Sequence, residues 1–294
     1  MNGIIVKAIA GFYYVDTGDG IFECKARGIF RKNGQSPLVG DRVVISLTDG
    51  GKGIVENISA RKNALVRPPV ANIDRLFVVV STVDPAPNTY IIDRVIANAE
   101  NSDIEPIVII NKCDIKDGDD IYRIYKNAGF NTFMVSAQSG EGIDAIRSLI
   151  ADKTVAFTGN SGVGKSSILN MLDENLNLAV GDISKKLGRG RHTTRHVELY
   201  PVCDGYIVDT PGFSSFDMEQ CDVMRKEQLQ YCFREFAPYI GECKFTSCSH
   251  TKEKGCKIVD AVNSGEIAIS RHESYVQLYK EAALIPDWQR DKSK

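Results

Sequence analysis

Residues 74–82, "DRLFVVVST", form an almost unbroken apolar run. A strand with one solvated face alternates apolar and polar residues, so a run this uniform predicts a strand covered on both faces of a parallel sheet. The pattern then changes period with each segment. "NTYIIDRVIANAE" (88–100) predicts a helix, "EPIVIINKCD" (105–114) a strand and loop, and "DDIYRIYKNAGF" (119–130) a helix stopped at Gly129. "NTFMVSAQSG" (131–140) is strand then loop, and "IDAIRSLI" (143–150) is a helix. "KTVAFTGNSGVGKSSILNML" (153–172) is strand, loop and helix, and "GYIVDTPGF" (205–213) is strand then loop. Regular alternation predicts a doubly wound α/β sheet, where ligands bind at the carboxyl ends of the strands.

The flanks read differently. Residues 1–63 hold short strands, "GIIVKAIAGFYYVD", "GIFECKARGIF", "DRVVISLT" and "KGIVENIS", separated by Gly-rich turns. Such spacing predicts a small closed barrel. The stretch 63–74 contains Pro68 and Pro69 and reads as a linker. Beyond about residue 217 the expectation is helical. Leu229, Cys232, Phe233 and Phe236 form one core stripe, and Tyr275, Leu278, Tyr279 and Ala282 form another. Ser270 with Glu273 reads as a capping box. The expected division is a barrel at 1–65, an α/β domain at 66–216 and a helical domain at 217–294.

The length of 294 residues suits two or three domains. Hydrophobic content of 43% and charged content of 25% are those of a soluble globular protein. No apolar run approaches the roughly 18–20 residues that span a bilayer. The start lacks a basic segment and a cleavage site, so the expectation is a cytoplasmic protein without signal peptide or membrane partner, acting as a monomer. The net charge of −2 excludes a global basic field for nucleic acid. Local fields remain: residues 1–63 carry nine Lys/Arg against six Asp/Glu. "SKKLGRGRHTTRH" (184–196) has Lys185, Lys186, Arg189, Arg191 and Arg195 and no acid, as either a solvated loop or a polyanion contact would.

Candidate chemistry falls on the strand-end loops. Gly159-Asn160-Ser161-Gly162-Val163-Gly164-Lys165-Ser166 fits the phosphate-loop pattern, with Ser167 next in the helix. Its backbone N–H groups would close around phosphates, Lys165 would reach the β- and γ-phosphates, and the Ser166 hydroxyl would ligate Mg²⁺. Asp209-Thr210-Pro211-Gly212 follows a strand. Asp209 would hold Mg²⁺ directly or through water, and the Gly212 N–H would face the γ-phosphate. Asn111-Lys112-Cys113-Asp114 also follows a strand. The Asp114 carboxylate is a double acceptor matched to the ring N–H and amine of guanine, a donor pair that adenine lacks. Lys112 would lie along the base, Asn111 would brace the loop, and Ser136-Ala137 would offer a backbone N–H to the guanine oxygen. Each motif is weak alone; at successive strand ends they define a GTP/GDP site.

Their order is base reader, second base loop, phosphate loop, then "RGRHTTRHVEL" (189–199) and "DTPG" as the two switches. The base reader therefore precedes the phosphate loop, a circular permutation of the usual order. The second switch then leads directly into the C-terminal region. Thr194, or its neighbour Thr193, is the expected hydroxyl that closes on Mg²⁺. After "DTPG" stands Phe213, which cannot orient water as the usual Gln does. His192 is the preferred water-orienting group, with His196 the neighbouring alternative; His192 as an RNA contact stays equally open. Lys165, Gly212 and His192 are thus the candidate catalytic set.

Of eight cysteines, Cys243, Cys248 and Cys256 cluster around His250. Three thiolates and an imidazole within fourteen residues suit a closed, structural tetrahedral Zn²⁺ site. His272 lies too far along the chain to be counted as a ligand.

With "NKCD", "GNSGVGKSS", "GRGRHTTRH", "DTPGF" and the Cys-x₄-Cys-x-His-x₅-Cys cluster together, the chain resembles the RsgA (YjeQ) family of ribosome small-subunit-dependent GTPases over nearly its whole length. The resemblance implies an OB-fold N-terminal domain that binds RNA, a central permuted GTPase and a C-terminal zinc domain. It implies late maturation of the small ribosomal subunit, contact with its rRNA, and GTP hydrolysis stimulated by that subunit. A GTP-controlled scaffold in which hydrolysis is incidental, and a GTPase acting on a protein or membrane partner without RNA, remain the alternatives.

Overall fold

A computed structural model describes residues 1–32, 34–48, 50–65, 68–173, 176, 197–209 and 224–284. The first expected strand folds instead as a hairpin, β1 (Asn2–Ile9) and β2 (Phe12–Asp16). Ala10 and Gly11 both have positive φ, 50° and 83°, and a two-residue turn of that kind matches the twist of paired strands. β3 (Ile21–Ala26), a short helix α1 (Gly28–Lys32), β4 (Arg42–Leu47) and β5 (Gly53–Ile58) follow. The strands run in the order β1-β2-β3-β5-β4, and β4 pairs back onto β1, closing a five-stranded barrel. Ile5, Val15, Cys24, Val43, Ile45 and Val55 fill it.

The Pro68–Pro69 segment is more than a linker. It is the turn of a small hairpin, β6 (Ala64–Leu65) with β7 (Val70–Ala71), and the Ala71 N–H donates to the Val39 carbonyl (2.8 Å). Both prolines sit outside the paired residues, so the missing N–H groups cost no ladder bond.

The alternating region follows the sequence pattern: β8 (Arg75–Ser81), α2 (Thr89–Asn101), β9 (Glu105–Asn111), α3 (Asp119–Asn127), β10 (Asn131–Met134), α4 (Ile143–Ser148), β11 (Thr154–Thr158), α5 (Lys165–Leu172), β12 (Glu198–Val202) and β13 (Gly205–Asp209). Leu76–Val80 and Ile107–Ile110 are buried along their whole length, as double coverage requires. The Asn88 side chain accepts from the Ile91 N–H and caps α2.

The C-terminal region begins with α6 (Lys226–Leu229) and continues as 3₁₀ turns at Gln230–Cys232 and Arg234–Tyr239. The expected stripe is buried, yet it is not one α-helix. Pro238 has no N–H and would clash with the carbonyl four residues back, so the tighter turn wins. α7 (Lys257–Asn263) and α8 (Ile269–Ala283) complete the chain. The N-cap of α8 is Ala268, not Ser270, and no side chain caps it. Ser270 lies inside the first turn, so the expected capping box does not form.

The described residues divide into two compact units. One is drawn from Met1–Leu76, Ile143–Phe157 and Lys165–Phe213. In it the barrel strand β1 pairs with β12, β12 with β13, and β13 with β11 in parallel. Lys7 and Glu198 form an ion pair across the β1–β12 junction (2.8 Å). The other is drawn from Phe77–Gly142, Thr158–Gly164 and Ser214–Lys294. It holds neighbouring strands in the order β10-β9-β8, with β10 and β9 parallel. In it α2 contributes Ala97 to a core made by Leu229, Cys232, Phe233, Phe236, Ile258 and Tyr275. Above that core Arg271, only 1% exposed, pairs with Asp93 (2.7 Å) and Glu235 (2.7 Å) and lies over the Phe130 and Phe233 rings. Among the described residues no helix is long and apolar enough to cross a membrane.

Candidate functional site

β9, β10 and β11 each end in a loop that carries one of the motifs. Asn111 is the last residue of β9 and is buried. Its Nδ2 donates to the Val163 carbonyl (2.9 Å), and its Oδ1 accepts from the Ala137 N–H (3.0 Å). One amide thereby ties the "NKCD" loop to both the glycine-rich loop and the loop after β10. Lys112 takes φ 67°, its carbonyl accepts from the Thr82 hydroxyl (2.9 Å), and its ammonium donates to the Asp84 carbonyl (2.7 Å). These contacts leave Asp114 exposed at the loop tip. Ser136 is buried: its N–H donates to the Glu141 carbonyl (3.0 Å) and its hydroxyl accepts from the Ser139 N–H (3.1 Å). Of the Ser136-Ala137 pair expected to offer a backbone N–H to guanine, the Ala137 N–H donates to Asn111 Oδ1 in this structure. These bonds hold the loop after β10 in place.

The glycine spacing has a steric cause. Gly159 has φ 139°, and a Cβ there would sit 2.2 Å from the Val79 carbonyl oxygen. Gly164 has φ 97°, and a Cβ there would sit 2.1 Å from Asn111 Nδ2. Only glycine fits either place. The result is a tight backbone cradle around Asn160, Ser161 and Gly162, with Val163 buried beneath it. The cradle runs straight into α5, whose first residues are Lys165, Ser166 and Ser167. Burial pushes the Lys165 ammonium down to about 8. A lysine so placed gains from any anion beside it. The far end of α5 is capped by Arg147, which donates to the Leu172 (2.7 Å) and Met171 (3.0 Å) carbonyls. Asp209 ends β13. Thr193, Thr194, His192, His196, Gly212, Phe213 and the basic run Lys185–Arg195 lie outside the described residues.

The second site is the Cys/His cluster. The ligand atoms of Cys243, Cys248, His250 and Cys256 all lie within 4.8 Å of one another. His250 Nδ1 is 3.5 Å from the sulfurs of both Cys243 and Cys256. Its Nε2 meets Gln230 Oε1 at 2.9 Å, an acceptor that fixes the proton on Nε2 and leaves the Nδ1 lone pair toward the thiols. Burial pushes the Cys248 thiol up to about 12 and raises that of Cys256, while burial lowers the His250 imidazole. Such crowding of thiols is relieved by a cation that draws off their protons, so the donor set fits a metal ion.

Sequence reasoning placed all four donors but not their supports. His272, set aside as a ligand, faces the His250 carbonyl through Nε2 (2.7 Å). Tyr275 donates to the Ser249 carbonyl (3.0 Å). Glu253 accepts from the N–H groups of Ser249, Thr251 and Lys252 and from the Ser249 hydroxyl. Burial works against its charge, but these donors hold the carboxyl down at about 2. Gln230, twenty residues before His250, carries no spacing signal that would have found it.

The Asn-Lys-x-Asp loop after β9, the Ser-Ala loop after β10 and the glycine-rich loop after β11, in that chain order, are the arrangement of a circularly permuted GTPase. The comparisons agree. The RsgA GTPase family model matches residues 58–219, and the RsgA N-terminal domain model matches residues 2–55. A relative from Caldanaerobacter subterraneus subsp. tengcongensis, named small ribosomal subunit biogenesis GTPase RsgA, is 43% identical over 96% of this chain and 95% of its own. One of the same name from Clostridium perfringens is 40% identical over 96% of this chain and 98% of its own. The crystal structure of YloQ, a circularly permuted GTPase, is 35% identical, covers 96% of this chain and 94% of its own, and has a TM-score of 0.79. That of YjeQ from Thermotoga maritima is 33% identical, covers 97% and 99%, and has a TM-score of 0.82. The chain belongs to the RsgA GTPase family.

Proposed function

We propose that this protein hydrolyses GTP to GDP and phosphate in the biogenesis of the small ribosomal subunit, acting in the cytoplasm on the subunit itself. The observation that carries the GTPase reading is Asn111, whose two side-chain ends join the guanine-reading loop to the phosphate loop. The subunit reading rests on relatives of that name matched over nearly the full length of both chains. The functional division is 1–65 for RNA, 66–216 for GTP and 217–294 for the metal.

Asp114, exposed at the loop tip, takes the two guanine donors, while Lys112, held by Asp84, flanks the base. Backbone N–H groups of residues 160–166 surround the phosphates, and Lys165 adds the cation. Ser166, Thr194 and Asp209 are the residues that would hold Mg²⁺, which when bound neutralises charge on the β- and γ-phosphates. The Gly212 N–H marks the γ-phosphate, and its release after hydrolysis is passed to residues beyond 217. His192 accepts from the attacking water and orients it, the part that Phe213 cannot play. The four-donor cluster takes Zn²⁺ as a structural ion. On the barrel, Lys25 lies 5.2 Å and Lys52 6.0 Å from the Phe12 ring centre, a cationic patch that supports contact with rRNA phosphates.

The test is GTP turnover, alone and with added small subunits, for the wild type and His192→Ala. The expected result is slow intrinsic turnover, stimulation of about 10³–10⁵-fold, and loss of most of that stimulation in the variant with subunit binding retained. Turnover that ignores the subunit would overturn the function. Stimulation that survives while subunit affinity falls would make His192 an RNA contact.

A further inference from the structure

The turn that carries Asp114 is closed within its own loop and anchored from outside it. The Lys112 carbonyl accepts from the Ile115 N–H (3.0 Å), so residues 112–115 form a tight turn with Asp114 inside it. Lys112 enters that turn at φ 67°. A residue with a long side chain holds this left-handed region only where its surroundings fix it there. The fixing contact comes from the neighbouring strand end. The Thr82 hydroxyl donates to the same Lys112 carbonyl (2.9 Å), and the Thr82 N–H donates to the Asn111 carbonyl (3.1 Å).

Thr82 directly follows β8 and is only 5% exposed. Packing sets the direction of its side chain. Gly118 ends the loop just before α3, and a Cβ there would sit 3.2 Å from the Thr82 methyl. With the methyl against Gly118, the hydroxyl is turned to Lys112. A third bond runs the other way, from the Lys112 ammonium to the Asp84 carbonyl (2.7 Å). The far side of the loop is held by the Cys113 N–H on the Val135 carbonyl (3.2 Å). Among the described residues, the Thr82 hydroxyl is the donor from outside the loop that meets the carbonyl opening the Asp114 turn.

We propose that Thr82 is a positioning residue for guanine recognition: its hydroxyl holds the Lys112–Ile115 turn so that both oxygens of the Asp114 carboxylate face the base. Buried, and with its hydroxyl spent on Lys112, Thr82 acts through Asp114 rather than on the base. A carboxylate that reads two donors is sensitive to tilt, because a rotation that keeps one oxygen on the ring N–H carries the other away from the exocyclic amine. The loss is therefore one of discrimination. Hypoxanthine keeps the ring N–H and lacks the amine, so it reports the second oxygen alone. The proposal rests on the guanine reading above.

The test is calorimetric titration of the full-length chain with guanosine diphosphate and inosine diphosphate, with circular dichroism and thermal melting as controls of the fold. The wild type is expected to prefer the guanine nucleotide. Thr82→Val removes the hydroxyl at nearly constant shape and leaves the N–H bond to Asn111 in place. It should narrow that preference about three- to tenfold, the worth of one hydrogen bond. Thr82→Ser keeps the hydroxyl and should restore the preference. Should Thr82→Val not fold, Thr82→Ala removes the same hydroxyl and carries the same expectation. A wild type that binds both nucleotides equally would remove the guanine reading, and the proposal with it. A wild-type preference that persists undiminished in Thr82→Val would overturn the proposal while leaving the guanine reading intact. Equal weakening of both nucleotides with a lowered melting temperature would also overturn it, since that is the effect of lost stability alone. So would a preference that Thr82→Ser fails to restore.

Discussion

Asn111→Ala is the most direct perturbation of the nucleotide site, because it touches neither the base reader's carboxylate nor the phosphate loop's own residues. The change deletes the 2.9 Å bond to the Val163 carbonyl and the 3.0 Å bond from the Ala137 N–H. Val163 is buried, so its carbonyl loses a partner that water replaces poorly; Ala137 is half-buried and its N–H is partly rehydrated. A buried unsatisfied group costs about 1–3 kcal/mol, and a typical hydrogen bond about 1, so the total is roughly 2–4 kcal/mol. If ligand binding must restore the alignment of the two loops, that cost is read at affinity. GDP should then bind about 30-fold to several hundred-fold more weakly, at 1.4 kcal/mol per decade. Preference for guanine over adenine should survive, because Asp114 is untouched. The assay is calorimetric titration with GDP and ADP, with circular dichroism to confirm the fold. A folded variant that binds GDP within about threefold of the wild type would show that Asn111 does not couple the loops.

Asp114→Asn should act on the other half of the site, weakening GDP by about 2–3 kcal/mol through loss of a charged double acceptor. Unchanged preference for guanine over adenine in competition binding would remove Asp114 from the base site. Arg271→Met leaves Asp93 and Glu235 buried without their cation and should cost about 3–5 kcal/mol in urea unfolding. Burial raises the Asp93 carboxyl above the usual range and Arg271 pulls it down. Without Arg271 the folded chain keeps that proton while the unfolded chain ionises above its ordinary value. Stability should thus fall as pH rises, by up to about 1.4 kcal/mol per unit, and equal losses at pH 5 and 8 would refute this. Elemental analysis should find about one Zn²⁺ per chain, and a chelator should speed hydrogen exchange in α8 and residues 243–256 while sparing β8 and β9. Metal-free protein with unchanged exchange would dissociate the cluster from structural support.

The α/β pattern, the barrel, the tight turns of the glycine-rich loop and the four clustered Cys/His donors were all legible along the chain. Each is encoded locally, by a strand's uniform apolar run, by a glycine that tolerates φ 139°, or by ligands a few residues apart. The tertiary structure decided what depends on distant neighbours. It turned the Pro68–Pro69 stretch into a hairpin anchored at Val39, and it drew Gln230 and His272 onto His250 from twenty and twenty-two residues away. It also placed Ser270 inside α8, whose next residue, Arg271, reaches a buried carboxylate 178 positions earlier. A cap is a local bond worth about 1 kcal/mol, whereas stranding a buried charge costs several. Where the two conflict, the long-range pairing sets the register, and no window of sequence around Ser270 contains Asp93.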